Sequence, residues 1–288
     1  MHAWTFEAIG TAWQIDTREP LAADVQAAVL GRIERFDAAW SRFRDDSLVS
    51  RIASTPGEWQ LPDEAEQLLG FFTELHDATG GAVNPLVGRT LSDLGYDATY
   101  SLTASDEPAA VPPWGSLELS AGALTTTAPV LIDVGAAGKG LLVDEVAAIV
   151  ARETEQLTVD ASGDLFFGGD GAAAPLRIAL EHPLDAGRAI GVAEIQAGDA
   201  LCASATNRRA WGDGLHHVLD ARTGRPTHDV VATWVVAPQS CMRADGLATA
   251  HFFADPALLM ERFDHQFVRM HADGRVLWSP DFPGEIFT

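Results

Sequence analysis

The chain has 288 residues, with 41 acidic side chains, 19 basic side chains and a formal net charge of −22 at pH 7. An apolar fraction of 47% excludes a disordered chain. The acid excess argues against nucleic acid as a partner, because phosphate binding needs a basic surface. No apolar segment approaches the roughly 18 residues that span a bilayer, so we expect no membrane span.

Hydrophobic patterning predicts the elements in chain order. Alternation predicts a strand over Trp4–Ile15, and helical spacing predicts helices over Val25–Trp40 and Glu64–Ala78. The proline-rich segment Ala104–Trp114 is typical of a surface loop. Later helices are expected at Leu141–Arg152 and Ala244–Phe253, and later strands at Leu117–Leu119, Ala123–Thr126, Val130–Val134, Leu157–Asp160, Leu176–Glu181, Ile190–Ile195, His217–Leu219, Val230–Ala237, Phe267–His271 and Arg275–Trp278.

Helices and strands in this order do not alternate steadily. The pattern therefore favours an α+β fold, with mixed or antiparallel sheets and packed helices, over a doubly wound sheet. No linker or repeat divides the chain, so we expect a single domain over residues 1–288.

The segment Ile132–Gly140 predicts a strand, a tight glycine turn and the start of a helix. It contains Lys139, the one lysine of the chain. Backbone N–H groups at a helix start favour phosphate, and small residues allow a ligand to approach closely. The Walker spacing and the G-x-G-x-x-G pattern are both absent. The residues alone leave two alternatives open, a phosphate site and an ordinary strand–helix turn.

Two further groups could carry chemistry. His217 precedes Asp220 and a Thr-Gly turn, and a histidine near neutral pKa can act as a general base. Asp245 and Thr249 stand four residues apart, one turn on the same helix face, and offer the hard oxygens that Mg²⁺ prefers. The alternatives are an ordinary histidine and an ordinary capped helix start.

The order of these motifs resembles the ApbE family, the FAD:protein FMN transferases. The Asp-x-Gly-x-x-x-Lys-Gly turn, the His-x-x-Asp-x-x-Thr-Gly block and the Ala-Asp-x-Leu-Ala-Thr block are the distinctive matches. The matching segments are Ser41–Val49, Thr79–Val87, Leu94–Tyr96, Ile132–Asp144, Ser162–Asp164, His217–Pro226 and Ala244–Ala250.

The resemblance implies a magnesium enzyme that uses FAD as substrate and carries FMN to a Ser or Thr of an acceptor redox protein. It implies Mg²⁺ ligands at the Gly138 carbonyl, Asp245 and Thr249, with His217 as the base and Asp220 orienting it. The acceptor would carry an Asp-Gly-x-[Ser/Thr]-Gly-[Ala/Ser]-Thr motif. The remaining FAD-binding positions that the resemblance implies are Ser41, Tyr96, Asp133, Lys139, Asp144, Ser204 and Thr223.

The chain departs from the family pattern at four places. The usual Phe-Asp-Pro-Thr is Val83–Leu86, the usual Ala-Lys-Gly is Gly138–Gly140, the usual Thr-Ser-Gly is Ala203–Ala205, and the usual Asp-Pro-Arg-Thr-Gly is Asp220–Gly224. Two alternatives stay open: a Mg²⁺-dependent FAD pyrophosphatase, in which water takes the place of the acceptor at the same site, and an FAD-binding protein without turnover, which the changes at Val83–Leu86 and Ala203–Ala205 suggest. We also expect a cytoplasmic location, since the N-terminal residues lack a secretory pattern and the first cysteine is Cys202.

Overall fold

The structure is a computed structural model that describes residues 1–120, 122–169 and 174–287. Within them the helices are α1 Ala23–Trp40, α2 Leu48–Ser54, α3 Ala65–Ala78, α4 Gly88–Asp93, α5 Gly138–Val150, α6 Cys241–Ala250 and α7 Pro256–Arg262. The strands are β1 His2–Ala8, β2 Thr11–Thr17, β3 Gly57–Gln60, β4 Leu117–Ser120, β5 Ala123–Thr126, β6 Leu157–Asp160, β7 Asp164–Gly168, β8 Leu176–His182, β9 Asp185–Ile195, β10 Asp199–Ala205, β11 Ala210–Trp211, β12 Leu215–His216, β13 Leu219–Asp220, β14 Arg225–Pro226, β15 Val230–Pro238, β16 Gln266–His271, β17 Val276–Trp278 and β18 Gly284–Ile286.

One large sheet organises the molecule. Its strands lie in the order β1-β2-β6-β7-β10-β15-β16-β17, and every neighbouring pair is antiparallel. Smaller antiparallel sheets have the orders β3-β5-β4 and β18-β9-β8. Two short strand pairs, β11-β12 and β13-β14, enclose the segment that contains His217.

The large sheet has a core on each face because successive side chains of a strand point to opposite sides. On β10, Cys202 packs into the core shared with the helices, while the preceding Leu201 packs into a second core. The second core includes Leu180 and Ile190 of β8 and β9. Helices therefore cover one face of the sheet and the β18-β9-β8 sheet covers the other, which confirms the α+β expectation.

The structure corrects three local expectations. The segment Trp4–Ile15 is a hairpin, because Ile9 and Gly10 take positive φ values of 46° and 72° and reverse the chain. The segment Val130–Val134 is apolar but joins no sheet in the described part of the chain. It packs against the start of α4, where Gly88 meets Leu131, and against the preceding turn, where the Asp133 amide donates to the Pro85 carbonyl at 2.7 Å. His217 lies between β12 and β13 rather than within a strand.

No helix among the described residues is long and apolar enough to cross a membrane.

Candidate functional site

The starts of α5 and α6 meet at Gly140. A Cβ at this position would lie 2.8 Å from the Cβ of Asp245 and closer still to the Cys241 carbonyl oxygen. Only hydrogen fits between the two helices here, so a glycine is required by the packing. This close approach brings the glycine turn, predicted as a phosphate site, against the helix that carries Asp245.

Lys139, near the start of α5, is held in place by contacts with strand β7 and with the turn before that strand. Its Nζ lies 2.8 Å from Oδ2 of Asp164, which is 1% exposed, and donates to the Ala161 carbonyl at 3.0 Å. Burial alone would lower the pKa of Lys139, but the carboxylates of Asp164 and Asp245 raise it above its ordinary value. The lysine therefore stays protonated and brings a positive charge to the glycine turn.

Asp245 is a buried carboxyl with one oxygen engaged. Its Oδ2 accepts the Gly140 N–H at 2.9 Å, and its Oδ1 has no hydrogen-bond partner among the described residues. Burial, with the nearby Asp164, raises the pKa of Asp245 well above its usual range, and Lys139 opposes this. A nearby cation would favour the ionised form.

The oxygen donors around Asp245 fit Mg²⁺ by their chemistry. Thr249 lies one turn later on α6, half-buried, and its hydroxyl forms no hydrogen bond within the described ranges. Gly138 is the first residue of α5 and is buried, with Val134 and Phe36 beside it, whereas Gly140 faces α6. The described residues contain no cluster of three or more His, Cys, Asp or Glu that could hold a metal. A metal here would need backbone, hydroxyl and solvent oxygens, as Mg²⁺ commonly uses.

Asp144 holds the start of α6. Its Oδ1 accepts the Cys241 N–H at 2.7 Å, and its Oδ2 accepts the Met242 N–H at 3.0 Å and the Ser240 hydroxyl at 3.2 Å. Burial raises the pKa of Asp144 to about 6, and the N–H donors oppose that shift. Because both oxygens are engaged, this carboxyl orients α6, and the predicted direct FAD contact of Asp144 stays a prediction.

Asp133 joins the glycine turn to a buried arginine. Its Oδ1 accepts the Gly135 N–H at 2.7 Å, and its Oδ2 lies 2.5 Å from Nε of Arg42. Arg42 also donates to the Tyr96 carbonyl at 2.6 Å and lies over the Phe43 ring, with 4.2 Å to its centroid. Its Nη2 is buried without a hydrogen-bond partner. Burying a charged donor without a hydrogen-bond partner costs folding free energy, and a bound ligand or water that accepted from Nη2 would reduce that cost.

Tyr96 is packed beneath these groups. Its ring stacks on Trp211 at 5.6 Å, and its hydroxyl accepts a hydrogen bond from Arg209. Burial raises the pKa of Tyr96 to about 12, against the opposing charge of Arg209, so the phenol stays neutral. The predicted FAD-binding Tyr96 and Asp133 are thus brought together through Arg42.

One ring nitrogen of His217 forms no hydrogen bond to the described residues. Its backbone N–H donates to the Arg209 carbonyl at 3.3 Å, while its Nδ1 is buried and has no hydrogen-bond partner. Burial, aided by the charge of Arg209, lowers the pKa of His217 to about 4. The imidazole is therefore neutral at pH 7 and can accept a proton.

Asp220 does not orient His217 in this structure. Its carboxylate pairs with Arg222, with Oδ2 2.6 Å from Nη2, and no hydrogen bond joins it to His217 within the described residues. The short turn explains the difference, because the Arg222 side chain folds back over Asp220 two residues earlier. Thr223 is exposed on that turn and accepts the Arg225 N–H at 3.3 Å.

The two predicted serines lie apart from these contacts. Ser41 ends α1, where its N–H donates to the Asp37 carbonyl at 3.0 Å. Ser204 is half-buried on β10, opposite Thr233 of β15. Neither hydroxyl forms a hydrogen bond among the described residues, and their predicted FAD contacts stay predictions.

Sequence reasoning missed Arg42, Arg209 and the full role of Asp164. Asp164 had a signal, since it closes the Ser162–Asp164 match, but Lys139 as its partner could not be inferred from local spacing. Arg42 directly follows Ser41, with no pattern that marks it as buried.

Two curated proteins are similar in sequence to most of this chain. An FAD:protein FMN transferase of Rhodobacter capsulatus is 24% identical over 96% of this chain, which spans 57% of that protein's length. One of Vibrio cholerae is 28% identical over 84% of this chain and 78% of its own.

Solved structures agree in fold. The ApbE protein of Thermotoga maritima superposes with a TM-score of 0.84 over 97% of both chains at 22% identity. The flavin transferase ApbE of Vibrio cholerae gives 0.80 over 98% of this chain and 97% of its own at 23% identity. At these identities the likeness shows the fold alone. The ApbE family profile matches residues 9–270, nearly the whole chain, and the chain therefore belongs to the ApbE family.

Proposed function

We propose that this chain transfers FMN from FAD to a Ser or Thr hydroxyl of an acceptor protein. The acceptor oxygen attacks the phosphorus on the riboflavin side of the FAD diphosphate, the P–O–P bond breaks, and AMP leaves. A new phosphoester joins FMN to the acceptor, and the hydroxyl proton goes to a base. The curated relatives named above carry this activity in their names.

The observation that carries the proposal is the state of His217. Its Nδ1 is buried and unpartnered, and its lowered pKa keeps it neutral. A neutral imidazole can take the proton of a hydroxyl, and a pKa of about 4 makes it a weaker base than an exposed histidine. The Asp220 carboxylate is paired with Arg222, and the Arg209 carbonyl holds the backbone N–H of His217.

The residues on the α5–α6 side would bind the diphosphate. The Gly138 carbonyl, Asp245 and Thr249 would hold Mg²⁺, which when bound would offset negative charge on the phosphoryl oxygens. Lys139 brings a fixed positive charge to the same turn, and Asp144 fixes the start of α6. Arg42 would hold Asp133, whose other oxygen accepts the Gly135 N–H of the glycine turn.

The test is one assay with a matched acceptor. The protein is incubated with FAD, Mg²⁺ and an acceptor that carries the Asp-Gly-x-Thr-Gly-Ala-Thr motif, beside the same acceptor with its modified Thr changed to Ala. We expect an FMN mass increment and flavin fluorescence after denaturation on the first acceptor only, both lost on chelation of the metal. Free FMN and AMP without an adduct would support the FAD pyrophosphatase instead. Bound FAD with neither product would support a non-catalytic flavin-binding protein.

A further inference from the structure

A cleft of about 610 Å³ opens beside the His217 segment. One wall is formed by the loop Pro108–Val111 and by Thr90 and Leu94 of α4 and its end. The opposite wall is formed by Asp213–Leu215 and the turn Ala221–Pro226. His217 lies between Leu215 and Ala221 in the chain, so residues on both sides of the proposed base line the cleft, although His217 itself does not.

The loop wall offers unpaired backbone groups. At Ala109 the N–H donates to Asp93 at 3.0 Å and the carbonyl accepts from Thr90 at 2.8 Å. The N–H and C=O groups of Ala110 and Val111 have no hydrogen-bond partners among the described residues, and Ala110 is exposed. An extended peptide can pair with such groups, as an added strand does.

The turn wall carries an unpaired arginine in an otherwise acidic chain. The charged residues that line the cleft are Arg222, Arg225 and Asp213. Arg222 is already paired with Asp220, whereas the Arg225 guanidinium has no partner in the described ranges. With a net charge of −22, the rest of the surface repels an acidic partner, and this wall offers a local exception.

We propose that this cleft binds an acidic, extended segment of the acceptor polypeptide, with Arg225 as the contact for its carboxylate. The proposal rests on the proposed function, because it places the acceptor beside His217. It assigns the diphosphate of FAD to the α5–α6 side and the acceptor to the cleft, so Thr223, which lines the cleft, would contact the acceptor rather than FAD. Arg225 then determines acceptor affinity rather than FAD affinity.

The test compares two charge reversals, Arg225→Glu in the cleft and Arg188→Glu on β9. Arg188 is also exposed and lies outside the cleft lining, so both variants change the net charge equally. The KM for the acceptor is measured at saturating FAD, and FAD affinity is measured by flavin fluorescence. We expect Arg225→Glu to raise the acceptor KM by about 10-fold or more, with FAD affinity unchanged, and Arg188→Glu to change it less than about 2-fold.

A charge swap makes the test specific. An acceptor with the motif Asp changed to Lys should bind wild-type protein poorly and regain affinity for Arg225→Glu. Equal effects of both reversals on acceptor KM, or a loss of FAD affinity in Arg225→Glu alone, would overturn the proposal.

Binding is also followed without catalysis, by anisotropy of a labelled acceptor peptide. If wild-type protein forms no adduct, the proposed function fails, yet weaker peptide binding to Arg225→Glu would still support the cleft. If wild-type protein forms the adduct but Arg225→Glu binds the peptide normally, the cleft proposal fails and the proposed function stands.

Discussion

The α5–α6 side of the site and the His217 side are built differently. Around Gly140 the helices touch, Lys139 is paired with Asp164, and both Asp144 oxygens accept hydrogen bonds. Around His217 the strands have two residues each, and the ring nitrogen Nδ1 has no partner. The first region is fixed by packing and paired charge, and the second keeps a reactive group free.

This difference assigns separate tasks to the two regions. A rigid oxygen-rich wall can hold a cation and a diphosphate without rearranging, which is how binding sites gain from preorganisation. A free, neutral imidazole is poised to take a proton but contributes little to holding the substrate. Substitutions on the α5–α6 side should therefore affect stability and FAD binding, and substitution of His217 itself should affect the rate of transfer.

The largest expected effect on stability is that of Lys139→Met. It would leave Asp164, 1% exposed, as a buried carboxylate without its cation. We expect a loss of about 3 kcal/mol in unfolding free energy, since breaking one partner of a buried pair is costly. Arg177→Met is the matched control, because Arg177 and Glu194 form an exposed pair at 3.5 Å. Chemical denaturation should show less than about 1 kcal/mol for it; equal losses would mean that the Lys139 pair is not effectively buried.

Gly140→Ala should cause the next largest loss of unfolding free energy. The added methyl cannot fit between α5 and α6. The helices must separate, at about 1–3 kcal/mol in unfolding free energy, and Asp245 must move. Gly70→Ala in α3 is the control, since a Cβ there meets nothing within 4 Å. That variant should gain about 0.5–1 kcal/mol. Thermal unfolding of both variants checks this, and an unchanged Gly140→Ala protein would show that the helices are not in tight contact.

The smallest effect concerns the pH profile. His217 must be neutral to act as a base, and its pKa is lowered to about 4 by burial and by Arg209. The acid limb of kcat/KM should then lie well below pH 6.5, with no loss of activity between pH 8 and 6 from this group. Arg209→Gln removes the nearby positive charge and should move the limb upward. A wild-type limb centred near 6.5 would contradict the buried, neutral His217.

The local parts of this candidate site were proposed from the sequence, and their roles stay predictions. Lys139, His217, Asp245 and Thr249 stand in short motifs whose spacing carries chemical meaning. Contacts between segments far apart in the chain could not be predicted, such as Lys139 of α5 with Asp164 of β7 or Arg42 with Asp133, because they depend on how helices, strands and loops pack together.

Errors in the predicted elements have a related cause. The segment Val130–Val134 is apolar because it is buried against the start of α4, and apolarity alone does not distinguish a strand from a buried extended segment. In Trp4–Ile15 the alternation of apolar and polar residues continues through Ile9 and Gly10. The pattern therefore did not indicate the turn of the β1–β2 hairpin. Asp220 lies near His217 in the chain, but Arg222 competes for its carboxylate at shorter range.

The division of tasks between the two regions is tested most directly by comparing His217→Asn with Asp245→Asn. FAD affinity is measured with and without Mg²⁺ by calorimetry, and transfer is measured in a single turnover with the acceptor. His217→Asn should keep FAD affinity within about 3-fold and lose about 100-fold or more in transfer rate. Asp245→Asn should lose the Mg²⁺-dependent part of FAD affinity, about 10-fold or more. If His217→Asn lost FAD affinity as severely as Asp245→Asn, or if Asp245→Asn kept its Mg²⁺ dependence, the separation of binding from chemistry would be contradicted.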